Sequence, residues 1–581
     1  MTNIIFNGFV HPAVGIFLGS LLIFGTEHLG RLILSKIKYS FFFVNLCIGT
    51  IVVSSVSYFF IIFQLFKYTT FFVSYVLVIF GIYNIFFYLK KNYSLIIGIK
   101  INSFNFFFIF LYFILLFFIS ISAPTMADAL DYHLAIPNYI YLNNKLPNEY
   151  FNNYVSLLGL GEIYNYLGLI VYSDVVGPLL NLIALFSFLN YFNQIIRDQE
   201  KYTIFVLFIV GSPVLIFFIS GAKFNLFPQL ITTYVLFLLV QYKRIDFKMS
   251  LLIIFLLFGA INFKLNFLLT GSVLGLVLLF KCKLNNKLIF YTILFFIALF
   301  TPRIIYNYLS IEKFSYYNLL TSANLILLDH IRNFTDSNLV FPLSLFLTDS
   351  LGKITTVLGF SFLIFFFVKK ISDKNILIFS TFMVGFILYF FYSQKTSRIF
   401  YELLLWLSLN IIFIKNYKIK IRYIKIFLFL NLIIPFTIAL IGFYQLSPSI
   451  ISNEHRRDVM RTTASEFKGI EWLNQRISPE ATILSNFRSK ALLTNNNIIL
   501  MDVITYDSKY YNLLLNSKID YIVVKDLDNL ANFIFNNCKF SLIAHSPNFL
   551  IENRNFFNRN SFYSVSIFKL KDSSLKNCVK N

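Results

Sequence analysis

Charge is what this chain has least of. Only 13% of its 581 residues are Asp, Glu, Lys or Arg, against 58% hydrophobic and 19% aromatic, with 75 phenylalanines. A soluble domain of that composition would aggregate, so the chain reads as a polytopic membrane protein. Acid is scarcer than base, 27 Asp and Glu against 49 Lys and Arg, for a net charge of +22. That excess does not point to nucleic acid. The basic residues fall mainly in short clusters between apolar runs and in the tail, the pattern of cytoplasmic loops facing anionic lipid. Cysteine is also rare. Cys47, Cys282, Cys538 and Cys578 show no metal-ligand spacing, and only Cys538 and Cys578 are placed to pair, if the tail lies outside the cell. No Lys or Arg precedes Arg31, which argues against a cleavable leader, and no internal repeat is evident, which weighs against a transporter built from inverted halves.

What is present is a series of apolar runs near the ~20 residues that an α-helix needs to cross hydrocarbon. They fall near 10–34, 40–63, 69–89 and 103–122, then 175–192, 202–220, 226–241, 249–263, 264–280 and 287–304, and finally 351–368, 376–394, 399–415 and 426–446. The basic clusters alternate between them so that both termini, the loop 123–153 and a second loop 305–350 fall outside. Tyr154 to Tyr172, interrupted by Gly159, Gly161, Glu162 and Asn165, reads as a helix lying at the outer surface. The expected architecture is therefore an α-helical polytopic membrane domain of about fourteen spans over 1–446, followed by a small α/β extracytoplasmic domain over 447–581. In that tail EFKGIEWLNQRI has a helical period, and ATILS, NIILMD, DYIVVKD, FSLIAHS and SVSIFKL read as short strands. It carries no Gly-rich phosphate loop and no metal-ligand cluster, and so reads as a structural or acceptor-contacting lobe.

The chemistry-bearing stretch is Ala123 to Pro147, APTMADALDYHLAIPNYIYLNNKLP, directly after the apolar run Phe104 to Ile121. Pro124 and Thr125 suit a helix start, which would put Asp128, Asp131 and Tyr132 on one face and Ala129 and His133 on another. Either Asp is a candidate general base, and with His133 the pair is a candidate O/N site for a divalent cation, Mg or Mn. By position alone the stretch reads first as an ordinary polar loop capping a helix. Lys223, Arg303, Lys395 and Arg398 break the charge alternation, all at outer ends of spans. Each alone is explained by snorkelling; together, on the face of the acidic loop, they suit an anionic lipid head group that Arg clamps bidentately. Lys264 stands alone inside a long apolar run, a position that marks function unless a salt bridge or a water cavity explains it.

The string D-A-L-D-Y-H-L-A-I-P, Asp128 to Pro137, continuing through YIYLNNKLP, resembles the first external loop of bacterial GT-C glycosyltransferases, relatives of protein O-mannosyltransferases and of the aminoarabinose transferase of lipid A. Asp128, Tyr132, His133 and Pro137 match that pattern position by position. Fainter likenesses are GLGEIYNYL around Glu162, NFKLNF around Lys264, TPRIIYNYL around Arg303 and Asn307, and QKTSRIFYE around Arg398. The chain departs from the family by lacking a Gly-Asn-Pro turn after Pro302 and a Tyr-Leu-Leu-Pro after Arg398. The resemblance implies a GT-C-like fold in a bacterial cytoplasmic membrane and an inverting transfer of a hexosyl or pentosyl unit from a polyprenyl-phosphate carrier to a saccharide, lipid or protein hydroxyl. Asp128 is then the expected base, with Asp131 or His133 orienting it, and a low-dielectric boundary is expected to raise its pKa toward working pH. Tyr132, Glu162, Lys223, Lys264, Arg303, Asn307, Lys395 and Arg398 are the expected substrate contacts. The rival expectations are a transporter or flippase for a lipid-linked saccharide, which would place charge near the bilayer midplane, and a non-catalytic envelope assembly protein.

Overall fold

The computed structural model describes the chain apart from residues 1–3, 8–9, 36–40, 64–67, 91–102, 148–150, 152–154, 156–157, 284, 311–337, 372–374, 392–394, 495–496, 501–518, 527–539, 555–561 and 571–581. Cys538, Cys578 and most of the loop expected at 305–350 lie outside the described residues.

Apolar runs become helices because hydrocarbon leaves backbone polar groups no other partner. In chain order these are α1 Pro12–Ile33, α2 Phe42–Ile62, α3 Thr69–Lys90 and α4 Ser103–Ser120, then α5 Ala135–Asn143, α6 Leu160–Ile170 and α7 Val176–Ile195. They continue as α8 Gln199–Val210, α9 Val214–Ile219, α10 Leu226–Gln241, α11 Phe247–Phe263, α12 Phe267–Lys281 and α13 Asn286–Ser310. The last three of the bundle are α14 Asn375–Phe391, α15 Ser397–Phe413 and α16 Ile421–Leu446. Among the described residues six helices are long and apolar enough to cross a membrane: α1, α2, α3, α7, α13 and α16. Five further apolar helices, in α4, α10, α11, α12 and α14, are shorter.

The first three helices pack backbone to backbone. A Cβ on Gly25 would lie 1.8 Å from Leu77 O, and one on Gly30 1.8 Å from Asn45 O. Only the missing side chains allow that approach. It brings a buried carboxylate within reach of its partners: Glu27 on α1 accepts from Asn45 Nδ2 of α2 at 2.8 Å and from Asn84 Nδ2 of α3 at 2.6 Å.

Three expectations are corrected. The helix expected at the surface within 154–172 is not there: α6 is buried along its whole length. Its polar residues have internal partners, Tyr164 facing Thr26 at 3.0 Å and Tyr166 facing Thr70 at 3.0 Å. The run 202–220 is not one helix, because Gly211-Ser212-Pro213 ends α8 and starts α9. The run 351–368 is not an α-helix at all; it forms two 3₁₀ stretches, Leu351–Thr356 and Ser361–Phe367, followed by the strand Val368–Ile371. The two departures share one cause. Val214 N donates to Val357 O at 3.1 Å, and Asn431 of α16 donates to Gly211 O and to Ser361 Oγ, both at 2.8 Å, while accepting from Phe360 N at 3.1 Å. Non-helical backbone at this depth is tolerated because protein groups, not lipid, satisfy it.

Val368–Ile371 pairs antiparallel with Ile414–Tyr417, gathering Lys369, Lys370 and Lys415 at one end of the bundle, where Lys425 of α16 also meets Glu200 of α8 at 2.9 Å. The opposite end carries the loop after α4 and the C-terminal region. There α17 Asn453–Thr463 and α18 Phe467–Asn474 precede a five-stranded sheet of β1 Thr482–Ser485, β2 Asn497–Leu500, β3 Tyr521–Lys525, β4 Phe540–His545 and β5 Val565–Leu570, in the order β2-β1-β3-β5-β4. Strand β1 is parallel to β2 and β3, and β5 is antiparallel to β3 and β4.

Candidate anion site at the loop after the fourth helix

After α4 the chain leaves the apolar stack and turns through Ala129–His133 in a widened, π-type turn, closed by Leu134 N donating to Ala129 O at 2.8 Å. Such single-turn bulges interrupt α-helices where side chains are redirected. Here the widening sends three neighbouring polar side chains to three sets of partners.

Asp128 meets cations from three distant segments. Lys223, in the bend between α9 and α10, pairs with Oδ2; Arg398, in the first turn of α15, approaches the same oxygen at 3.8 Å; Arg488 of the C-terminal region reaches Oδ1 at 3.4 Å. The cations of Lys223 and Arg398 both sit over the Phe217 ring, at 4.7 and 5.2 Å from its centre, a cation–π platform that aims them at one point. Lys223 foremost, with Arg398 and Arg488, holds the Asp128 carboxyl well below the usual carboxylate range, and the opposing effect of burial is weaker. This reverses the expectation of a raised pKa: cations, not the apolar boundary, dominate its surroundings.

Asp131 is buried and pairs with the equally buried Lys490 at 2.6 Å, with Arg488 Nε 3.8 Å from its other oxygen. Arg488 thus spans both carboxylates. Neither Asp131 nor His133 orients Asp128, however. His133 Nδ1 and Glu162 Oε1 are 2.7 Å apart, and the second Glu162 oxygen accepts from Gly159 N at 2.8 Å. Burial pushes the His133 imidazole below its usual pKa, and Glu162 offsets this only in part. With a neutral ring donating from Nδ1, Nε2 is an acceptor, and it has no hydrogen-bond partner among the described residues. The Tyr132 ring lies against that of His133 at 3.9 Å.

The expected divalent-cation site does not fit this arrangement. Asp128 and Asp131 are turned toward Lys and Arg while His133 is turned toward Glu162, and among the described residues no three His, Cys, Asp or Glu side chains converge.

The remaining expected contacts surround this pair of clusters. Lys264 is not inside a span but in the turn between α11 and α12, donating to Asn225 Oδ1 at 2.6 Å. Burial first, and then Lys223 and Arg398, bring its pKa down to about 7. Arg303 is buried on α13 and reaches Asn262 O at 3.5 Å, and Gly159 packs against the same Asn262–Phe263 backbone. Tyr306, beside Asn307, closes onto Pro147 O at 2.9 Å and so ties α13 to the end of the loop. Lys395 lies over the Phe341 ring at 5.4 Å. Sequence reasoning missed Arg488, Lys490 and Arg554, the last donating to Ser220 O at 3.1 Å. The one signal was NFRSKALL, where a basic pair runs into apolar residues that have no reason to flank it on a solvated face.

Around the two loop aspartates stand four cations, Lys223, Arg398, Arg488 and Lys490, with Lys264 and Arg303 behind them. The site has a surplus of positive charge, and its cations donate hydrogen bonds in directions that suit oxyanions. Fold and site together define a polytopic helical membrane protein with a cationic, acid-containing site where one end of the bundle meets a small sheet region. Residues 86–460, well over half of the chain, match the DUF1420 N-terminal domain, and the protein belongs to that family. Comparison with curated proteins and with solved structures gives no match. The site draws on both sides of the matched stretch's end, for Arg488 and Lys490 lie beyond residue 460.

Proposed function

We propose that this protein is an integral-membrane glycosyltransferase that moves a sugar from a polyprenyl-phosphate carrier to an acceptor hydroxyl at the outer face of a bacterial cytoplasmic membrane. The observation that carries the reading is the convergence of Lys223, Arg398 and Arg488 on Asp128. Those cations are where a phosphate leaving a sugar would need them, and the carboxylate between them is where a base would be needed. The resemblance of D-A-L-D-Y-H to the first external loop of GT-C enzymes supports the same assignment.

The chemistry follows from competition for charge. While Lys223, Arg398 and Arg488 are paired with it, Asp128 is too strongly stabilised as a carboxylate to be an effective base. A donor phosphate taking up Lys223, Arg398 and Arg488 removes that stabilisation and leaves a second anion beside Asp128, so the carboxyl pKa rises toward working pH. The acceptor O–H then gives its proton to Asp128 as its oxygen bonds to the sugar's anomeric carbon. The carbon–oxygen bond to phosphate breaks with its electron pair going to the phosphate, which the fixed cations stabilise. His133, buried and paired with Glu162, backs the site, and Tyr132, Lys264, Arg303, Asn307 and Lys395 stand around it. The isoprenoid tail lies along the apolar spans. In this reading the Lys369–Lys370 and Lys415 end faces the cytoplasm, the segment 351–368 is an irregular crossing, and both termini lie outside.

The test is sugar transfer from polyprenyl-phosphate sugars by purified protein in lipid. Asp128→Asn, shown by gel filtration to remain folded and monodisperse, is expected to lower turnover at least 100-fold, the usual scale of general-base catalysis. Wild-type turnover in that variant removes Asp128 as the base. Movement of the lipid-linked sugar across the bilayer by the unsubstituted protein, with no transfer, favours a flippase instead.

A further inference from the structure

The two C-terminal cations in the site are carried by a single tight turn, and the turn is gripped from below. Glu466, just before α18, is buried and adopts φ +66°, a left-handed conformation that costs a side-chain-bearing residue more than it costs glycine. Such outliers persist where the surroundings demand them. What the conformation achieves is visible in its partners. Glu466 Oε2 accepts from the backbone N–H of Arg488 at 2.9 Å and of Ser489 at 3.0 Å, while Oε1 accepts from Lys525 Nζ at 3.0 Å. Ser489 Oγ donates to Ser465 O at 2.7 Å, so the turn is fastened to both sides of the same peptide unit. Asn486 exchanges hydrogen bonds with the Lys525 backbone, 2.7 and 3.0 Å, fixing where the turn leaves the sheet. From this mount Arg488 spans Asp128 and Asp131, and Lys490 closes on Asp131.

We propose that Glu466 is a positioning residue that holds the Arg488–Lys490 turn over the loop aspartates, so that the C-terminal domain supplies Arg488 to the phosphate of the lipid donor. The assignment of the ligand rests on the proposed function; the grip on the turn does not. A buried carboxylate spending one oxygen on two backbone amides is a fixed mount, and it sets the position of a guanidinium whose side chain is itself half exposed. Without it Arg488 keeps its charge but loses its aim.

Glycine separates the two contributions of Glu466. Glu466→Gly suits the left-handed backbone and deletes the carboxylate, whereas Glu466→Gln keeps an oxygen for the two amides. The full-length protein in nanodiscs is titrated with undecaprenyl phosphate by native mass spectrometry, and amide exchange is followed across 486–493. Arg488→Gln is expected to weaken binding about tenfold, the scale of one lost charged hydrogen bond. Glu466→Gly is expected to weaken it similarly in protein that stays folded and monodisperse, Glu466→Gln to weaken it less than threefold, and the Glu466→Gly/Arg488→Gln double variant no more than Arg488→Gln alone. Exchange at Arg488 and Ser489 is expected to quicken in Glu466→Gly. Full affinity in Glu466→Gly, or losses that add in the double variant, overturns the positioning role. Failure of the unsubstituted protein to bind undecaprenyl phosphate overturns the donor assignment instead, and unaltered exchange in Glu466→Gly then overturns the grip as well.

Discussion

At the scale of single residues the site is governed by which charges are neutralised and which are left in excess. Asp128 is depressed by its cations, so its contribution to stability is fully present above the carboxylate's unfolded pKa of about 3.9 and is lost as pH falls through its lower folded value. The stability difference between the wild type and Asp128→Asn is therefore expected to stay level from pH 7 to about 5 and to shrink below about 4, measured by thermal unfolding in detergent. A difference that varies between pH 5 and 7 contradicts the assignment. Lys264 behaves in the opposite way. With a pKa of about 7 and Lys223, Arg398, Glu162 and Asp128 as its charged neighbours, it is largely neutral at pH 8. An anionic lipid phosphate brought beside it restores the ammonium, so binding of undecaprenyl phosphate at pH 8 is expected to take up close to one proton. Calorimetry in buffers of different ionisation enthalpy reads that uptake, and Lys264→Met is expected to abolish it. Buffer-independent heats in the wild type exclude Lys264 from the phosphate's surroundings.

At the scale of elements the determining features are close approaches and breaks. The α1–α2 and α1–α3 contacts admit no side chain at Gly30 or Gly25, since the obstructing atoms are backbone carbonyls that cannot rotate away. Gly30→Val is expected to cost at least about 3 kcal/mol, the upper part of the overpacking range, read as a lowered melting temperature and loss of the monodisperse detergent-solubilised species. Retention of the wild-type melting temperature would mean that the three helices are not packed this way. Helix positions were readable from sequence because hydropathy needs no partner: thirteen of the fourteen apolar runs contain helix near their expected limits. The exceptions were unreadable for a common reason. Gly211-Ser212-Pro213 announces a break, but the residue that makes the break tolerable, Asn431, lies far along the chain. The burial of α6 was hidden likewise, because Glu162 and Asn165 read as polar only until His133 and Ala222 are placed beside them.

At the scale of the whole molecule the site is an assembly of remote segments. The sequence pointed to Lys223 and Arg398 through charge in unexpected places, and both meet Asp128 of the loop, while Glu162, singled out by the resemblance, pairs with His133. It could not point to Lys490, since nothing local relates a lysine in the C-terminal region to an aspartate in the first loop. The C-terminal sheet and that loop share one end of the bundle, so a fusion at the carboxyl terminus and one within the loop should report the same side. Alkaline phosphatase is expected to be active at both, and inactive when inserted after Lys418, beside the basic ribbon; activity after Lys418 with silence at the other two would invert the proposed orientation. The Lys490–Asp131 pair joins residues 359 apart in the chain. At a synthesis rate of roughly 5–20 residues per second, the loop is therefore exposed for roughly 20 to 70 s before its partner leaves the ribosome. Throughout that interval Asp131 is without the lysine that pairs with it in the folded protein. Completion of the Lys490–Asp131 pair is therefore a late step in biogenesis, timed by the arrival of the C-terminal region.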